Sequence, residues 1–160
     1  ALLVLITAYF LLHKLLRNEN ERRKFELKTK LAPETIKIRL QAYERFALLL
    51  ERTNPATLIL RVIAPGMNSL ELQKELLQQI RTEFSHNISQ QIYISDELWS
   101  ALKAVQENLL KLVNISAEEI EKDAPATELA EKIIGVYNAN SENPTIIALG
   151  MLKKEVREIL

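Results

Sequence analysis

The sequence contains no cysteine, only three glycines and few aromatic residues, which make up 6% of the chain. The lack of cysteine excludes disulfides, thiolate metal sites and a cysteine nucleophile, and it is compatible with a reducing compartment. Few aromatic residues leave little from which to build strands. Leu, Ile, Ala, Glu, Gln and Lys dominate instead, and these residues favour helices. The composition therefore predicts an all-α fold.

The chain also lacks an excess of charge of either sign, since 21 basic residues balance 21 acidic residues. No global field would attract nucleic acid. The arginines between residues 39 and 61 alternate with glutamates and have few aromatic neighbours, which favours a salt-bridged face over a nucleic-acid surface. We expect no nucleic-acid partner.

The N-terminus is apolar, and residues 1–12 carry no charge. Only His13 and Lys14 interrupt the apolar character up to Leu16, so residues 1–16 are predicted to form a transmembrane anchor. A span needs about 20 residues, and the sequence begins without Met, so we expect residues to be missing before Ala1. A buried core helix and a signal peptide are the alternatives, but a signal peptide carries its positive charge before the apolar run.

Basic residues follow this apolar segment. By the positive-inside rule they place the N-terminus outside and residues 33–160 in the cytoplasm as an α-helical domain. Residues 17–32 have no Gly or Pro before the break at Pro33 and are predicted to form a charged helical stalk. Five of these cations are candidates for contact with lipid head groups: Lys14, Arg17, Arg22, Arg23 and Lys24.

The soluble part is predicted to be an irregular bundle of five or six amphipathic helices with connections marked by proline. The predicted inward faces are Ile36, Leu40, Tyr43, Ala47 and Leu50; Leu70, Leu77, Ile80, Phe84, Ile88 and Ile92; Leu98, Leu102, Val105, Leu109 and Leu112; Leu129, Ile133, Val136 and Tyr137; and Leu149, Leu152, Val156 and Ile159. Residues 56–63 form either a short helix or a short strand.

Capping residues set the predicted helix starts. These residues are Asn54 before Pro55, Asn68 or Ser69, Ser95, Thr127, and Asn143 before Pro144. Ser116 and Glu119 have capping-box spacing, which predicts a further short helix or a kinked continuation reaching about Lys122.

The long predicted helix carries the most suggestive polar cluster. Glu83 and His86 have the i, i+3 spacing by which helix bundles hold metal pairs, but such a site needs a second motif. The other histidine, His13, lies at the membrane end. A metal site is therefore a weak candidate unless subunits share it.

The favoured interpretation of this cluster is a polar patch at helix contacts. Asn87, Gln90 and Gln91 would hydrogen-bond to neighbours: Glu44, Arg45, Glu51 or Arg52. An exposed binding surface that includes His86 is the alternative. Trp99 is interpreted as a core anchor, with an interface hot spot as the second possibility.

No sequence motif indicates catalysis. The chain has no Gly-rich phosphate loop, nucleophile elbow or histidine-containing triad, so we predict no catalytic residues and no cofactor.

Three stretches, residues 39–45 (RLQAYER), 50–52 (LER) and 86–93 (HNISQQIY), resemble an uncharacterised family of small single-span membrane proteins from Bacteroidota-type bacteria. The resemblance extends over nearly the whole chain. It implies a bacterial inner-membrane location and brings no known activity or site residue.

These features together favour a non-enzymatic accessory or scaffold subunit. Its helical domain would dock on a larger membrane protein complex or associate with itself. The alternatives are a membrane-tethered metal-dependent enzyme using Glu83 and His86, and a sensor of anionic lipid surfaces acting through the basic stalk.

Overall fold

The structure, a computed structural model, describes residues 13–14, 19, 33–139 and 143–159. The predicted anchor and stalk lie outside these residues except for His13, Lys14 and Glu19, which are helical and exposed. Within the described part, no helix combines the length and the apolar character that crossing a bilayer requires.

The described residues form helices and no strand, which confirms the predicted all-α class. Residues 33–52 are helical, and the chain divides into two units after Ile38. The second unit contains α1 (residues 39–52), α2 (Pro55–Val62), α3 (Ser69–Asn87), a 3₁₀ helix (Ile88–Tyr93), α4 (Asp96–Glu118), α5 (Ala126–Ala139) and α6 (Pro144–Ile159). α4 packs against α3, α5 and α6.

Local capping chemistry starts four of these helices as the sequence predicts. At α6 the Asn143 side chain accepts the Thr145 N–H, and Pro144 takes the first helical position. The Asn54 side chain accepts the Ala56 N–H and Pro55 takes the first helical position, so residues 55–62 are a helix and not a strand. Asn68 and Glu71 form a reciprocal capping box at α3. The Ser95 hydroxyl accepts the Leu98 N–H at α4. Each cap satisfies a backbone donor that the first turn leaves unpaired.

The predicted face of the first helix is displaced. Tyr43 and Leu50 are buried, but Phe46 and Leu49 complete the buried face, while Leu40 and Ala47 are half-buried. In α5 the helix begins at Ala126, so the prediction of Thr127 as its cap is wrong. Val136, predicted to face inward on α5, is 41% exposed.

The predicted long helix changes its winding at Asn87. The Ile88 N–H bonds to the Ser85 carbonyl, an i to i−3 bond, and the chain continues as 3₁₀ turns to Tyr93. With three residues per turn, residues three apart share a face, and the half-buried pair is Gln90 and Tyr93. The prediction that Ile88 and Ile92 face inward is therefore wrong, and they are 55% and 73% exposed.

Ser116 is not a helix cap, because α4 runs through it to Glu118. Its side chain is buried, and its hydroxyl has no hydrogen-bond partner. The buried Ser69 hydroxyl, in contrast, donates to the carbonyl oxygens of Ala124 and Pro125 at 3.1 and 3.3 Å.

These two serines give a matched prediction. Ser116→Ala is expected to raise the free energy of unfolding by about 1 kcal/mol, since it removes an unpaired polar group, and Ser69→Ala to lower it by about 1 kcal/mol. Urea unfolding followed by circular dichroism measures both. Equal effects of the two substitutions would contradict the assigned hydrogen bonding.

Candidate interaction surface

The carboxylate of Glu83 is the most buried charge among the described residues, and two arginines from other helices bind it. Arg52 of α1 places Nη2 at 2.6 Å and Nε at 2.8 Å from Glu83 Oε1. Arg61 of α2 places Nη2 at 3.3 Å from the same oxygen, and this Nη2 also donates to the Arg52 carbonyl. The hydrogen bond from Arg52 to Glu83 raises the pKa of Arg52. This cluster ties α1 and α2 to α3.

The cluster differs from the predicted polar patch. The Asn87 side chain donates to the Glu83 carbonyl of its own helix at 2.9 Å, and Gln90 donates to the neighbouring Ser89 hydroxyl at 3.4 Å. Arg52 is the predicted partner that takes part, but it bonds to Glu83 and not to an amide. Arg61, which the sequence pattern suggested only as part of a salt-bridged face, is the second cation.

The pairing also bears on the weak metal candidate. Glu83 directs a carboxylate oxygen at two guanidinium groups, while His86 is exposed one turn further along α3. Over the part of the chain that the structure describes, no three His, Asp or Glu side chains are grouped so as to hold a metal ion. Glu83 is thus the ion-pair partner of two arginines in this structure.

A second contact fixes the 3₁₀ helix against α1. Arg39 Nε donates to the Tyr93 carbonyl oxygen at 3.1 Å. Because Arg52 contacts Glu83 and Arg39 contacts Tyr93, α1 runs antiparallel to the chain from α3 to the end of the 3₁₀ helix. The exposed side chains here include His86, Ile88, Gln91 and Ile92, and we call these four the 3₁₀ surface.

Arg39 belongs to a further network that joins α1, α4 and α6. Its Nη2 donates to the Tyr43 hydroxyl at 2.8 Å, and that hydroxyl donates to Glu155 Oε2 at 2.8 Å. The Ser95 hydroxyl donates to Glu155 Oε1. A cleft of about 540 Å³ lies beside this network. Sequence reasoning missed Glu155, since 112 residues separate it from Tyr43 and no local pattern links them.

Burial, reinforced by the hydrogen bond to Glu155 and its negative charge, raises the pKa of Tyr43 above the ordinary 10.0. The folded state thus favours the neutral phenol. This contribution to stability is fully present below the unfolded-state pKa and is lost as the pH rises through the higher folded-state pKa.

Tyr43→Phe is expected to lower the free energy of unfolding by about 1 to 2 kcal/mol at neutral pH through loss of two hydrogen bonds. It should also flatten the fall in stability above about pH 10. Urea unfolding across the alkaline range tests this. A variant whose stability falls as steeply as that of the unsubstituted chain would contradict the assigned role.

The remaining predicted interaction residues lie at separate places. Arg45 is exposed on α1. Glu51 lines a different groove, of about 340 Å³, together with Tyr137 and Asn143. Trp99 is half-buried and tilts against Phe46, with 6.3 Å between ring centroids, as a core anchor would. Of the lipid candidates, Lys14 is exposed, whereas Arg17, Arg22, Arg23 and Lys24 lie outside the described residues.

The described residues thus form a helical domain whose 3₁₀ surface is exposed and partly apolar. The chain belongs to DUF7935, a family of unknown function whose model matches residues 1–159. This match confirms that the chain resembles a family without known activity over nearly its whole length. No curated protein and no solved structure matches the chain significantly.

Proposed function

We propose that the protein is a membrane-anchored accessory or scaffold subunit that docks its helical domain, through the 3₁₀ surface, on a larger membrane protein complex or a second copy. The exposure of Ile88 and Ile92, at 55% and 73%, carries this proposal. Both lie in one short helix, between polar neighbours.

Ile88 and Ile92 are exposed although contacts with other helices hold their segment in place. The Arg39 contact holds its last residue, and the Arg52 and Arg61 contacts hold the turn of α3 that precedes it. A surface fixed before binding loses little conformational entropy on association.

The chemistry of the surface also fits docking to protein. Burying the two isoleucines at an interface would remove apolar area from water, worth roughly 25 cal/mol per Å² before the costs of association. Gln91 and His86 are exposed beside them, and the Arg52 side chain at the neighbouring ion pair is 54% exposed. An apolar centre with a polar rim is the usual composition of a protein interface.

The proposed location follows from the order of charges in the sequence. Residues 1–16 would anchor the chain in the inner membrane of a Bacteroidota-type bacterium, with residues 17–32 as the stalk. The basic residues that follow the apolar segment support a cytoplasmic position for residues 33–160.

Purification of the tagged chain from native membranes in mild detergent, followed by mass spectrometry, tests the proposal. We expect either a membrane protein in fixed ratio to the chain or a homo-oligomer of defined size. A chain that elutes as a monomer with no partner, after cross-linking in the membrane as well, would contradict it.

A further inference from the structure

The outward face of α6 combines exposed isoleucines with basic residues. Its exposed residues are Ile146, Ile147, Gly150, Lys153, Lys154 and Arg157, with Glu158 at the edge. Residues spaced by three, four and seven positions share one helical face. The two isoleucines thus lie at one end of the face and the three cations at the other, over about 16 Å at 1.5 Å per residue.

The opposite face of α6 fixes this orientation. Ala148 and Leu152 are buried in the core. Glu155 is bonded to Tyr43 and Ser95. Because these contacts hold the helix, α6 cannot rotate to hide Ile146 and Ile147, which remain 68% and 55% exposed.

The charge on this face is unbalanced. Lys154 has Glu158 within 4.0 Å. Neither Lys153 nor Arg157 forms an ion pair with any residue that the structure describes. The face therefore presents two unpaired cations beside two exposed isoleucines.

We infer that this face of α6 binds the surface of an anionic lipid bilayer. Ile146 and Ile147 would enter the boundary between head groups and acyl chains, while Lys153 and Arg157 would contact lipid phosphates. Lys and Arg near a membrane surface are attracted to anionic lipid, and apolar side chains exposed beside them can be buried at the boundary between head groups and acyl chains. The centres of protein interfaces are instead depleted of Lys and enriched in aromatic residues, and this face has two lysines and no aromatic residue.

The inference rests on the membrane location in the proposed function, but it uses a surface separate from the 3₁₀ surface. An experiment can therefore contradict lipid contact by α6 without contradicting partner docking on Ile88 and Ile92, and the reverse also holds.

The absence of cysteine allows a site-specific test on the full chain. Gly150→Cys places a thiol on this face, where an added Cβ meets no atom within 4 Å. A fluorophore on that cysteine would be quenched by nitroxide-labelled lipid in nanodiscs. The discs would contain phosphatidylcholine alone or phosphatidylcholine mixed with phosphatidylserine. The matched control is Ala104→Cys, at an exposed position of α4.

We expect quenching at position 150 to be at least about threefold stronger in discs with phosphatidylserine than in discs without it, because the cations favour anionic lipid. Lys153→Gln with Arg157→Gln should remove this difference. Lys103→Gln with Lys111→Gln, which neutralises two exposed cations of α4, should preserve it.

Three results would overturn the inference. These are equal quenching at positions 150 and 104, quenching indifferent to phosphatidylserine, and quenching unchanged by Lys153→Gln with Arg157→Gln. If the chain does not enter nanodiscs, the same labelled chain added to phosphatidylserine vesicles gives the quenching result for α6.

Discussion

Replacing both Ile88 and Ile92 with serine is expected to reduce recovery of the docked partner, or the homo-oligomer, by at least about tenfold. Central apolar residues often account for 1 to 2 kcal/mol or more each at an interface, and about 1.4 kcal/mol corresponds to a factor of ten. Both side chains are exposed in the isolated domain, so the free energy of unfolding should change by less than about 0.5 kcal/mol. Quantitative mass spectrometry of the purified complex, beside urea unfolding of the variant, measures both effects.

Leu60→Ser is the matched control, because Leu60 is 80% exposed on α2. It removes a comparable apolar side chain outside the 3₁₀ surface and should leave partner recovery unchanged. If the Leu60 variant loses the partner as completely as the double variant, association reflects general surface hydrophobicity and the assigned surface is wrong.

Phe46→Ala is expected to lower the free energy of unfolding by about 3 to 5 kcal/mol. Phe46 is fully buried on α1 and packs against Trp99 of α4. Its removal leaves a cavity where these helices meet, and a domain of this size is stable by only about 5 to 15 kcal/mol. Urea unfolding followed by far-ultraviolet circular dichroism is the appropriate measurement, since the fluorescence of Trp99 would itself change.

Leu48→Ala on the same helix provides the comparison. Leu48 is 60% exposed, so we expect a change of no more than about 0.5 kcal/mol. Similar losses in the two variants would show that α1 is not packed on its Phe46 face.

The elements that depend on neighbouring residues were predictable from the sequence. The caps at Asn54, Asn68 and Ser95 are properties of a few adjacent residues, and all three are confirmed. The spacing of the apolar residues also predicted the all-α class, because residues three or four positions apart lie on one side of a helix, which can then be buried.

The change of winding at Asn87 was not predictable from the same pattern. Phe84, Ile88 and Ile92 have uninterrupted α-helical spacing, but the 3₁₀ turns direct Gln90 and Tyr93 inward. Arg39, far away in sequence, holds the Tyr93 carbonyl. Tertiary contact thus overrides a local periodicity that placed Ile80 and Phe84 correctly in the core but missed the fully buried Leu72 and Leu76.

The candidate site was predictable only in part. The region around Glu83 and His86 was singled out as a polar cluster, yet the partners of Glu83 come from two other helices, and Arg61 lies 22 residues away. At Ser116 the local sequence has a capping pattern, but the structure has no helix start there, because α4 continues through it. Such pairings depend on how the helices pack, which residue spacing does not determine.

Photo-crosslinking in native membranes tests the central claim most directly. A photoreactive amino acid would replace Ile92 in one chain and Leu60 in another, and the products would be identified by mass spectrometry. The account predicts one dominant cross-linked protein, either a membrane protein or a second copy of this chain, from position 92 and little product from position 60. Absence of a product from position 92, or the same mixture of products from both positions, would contradict it.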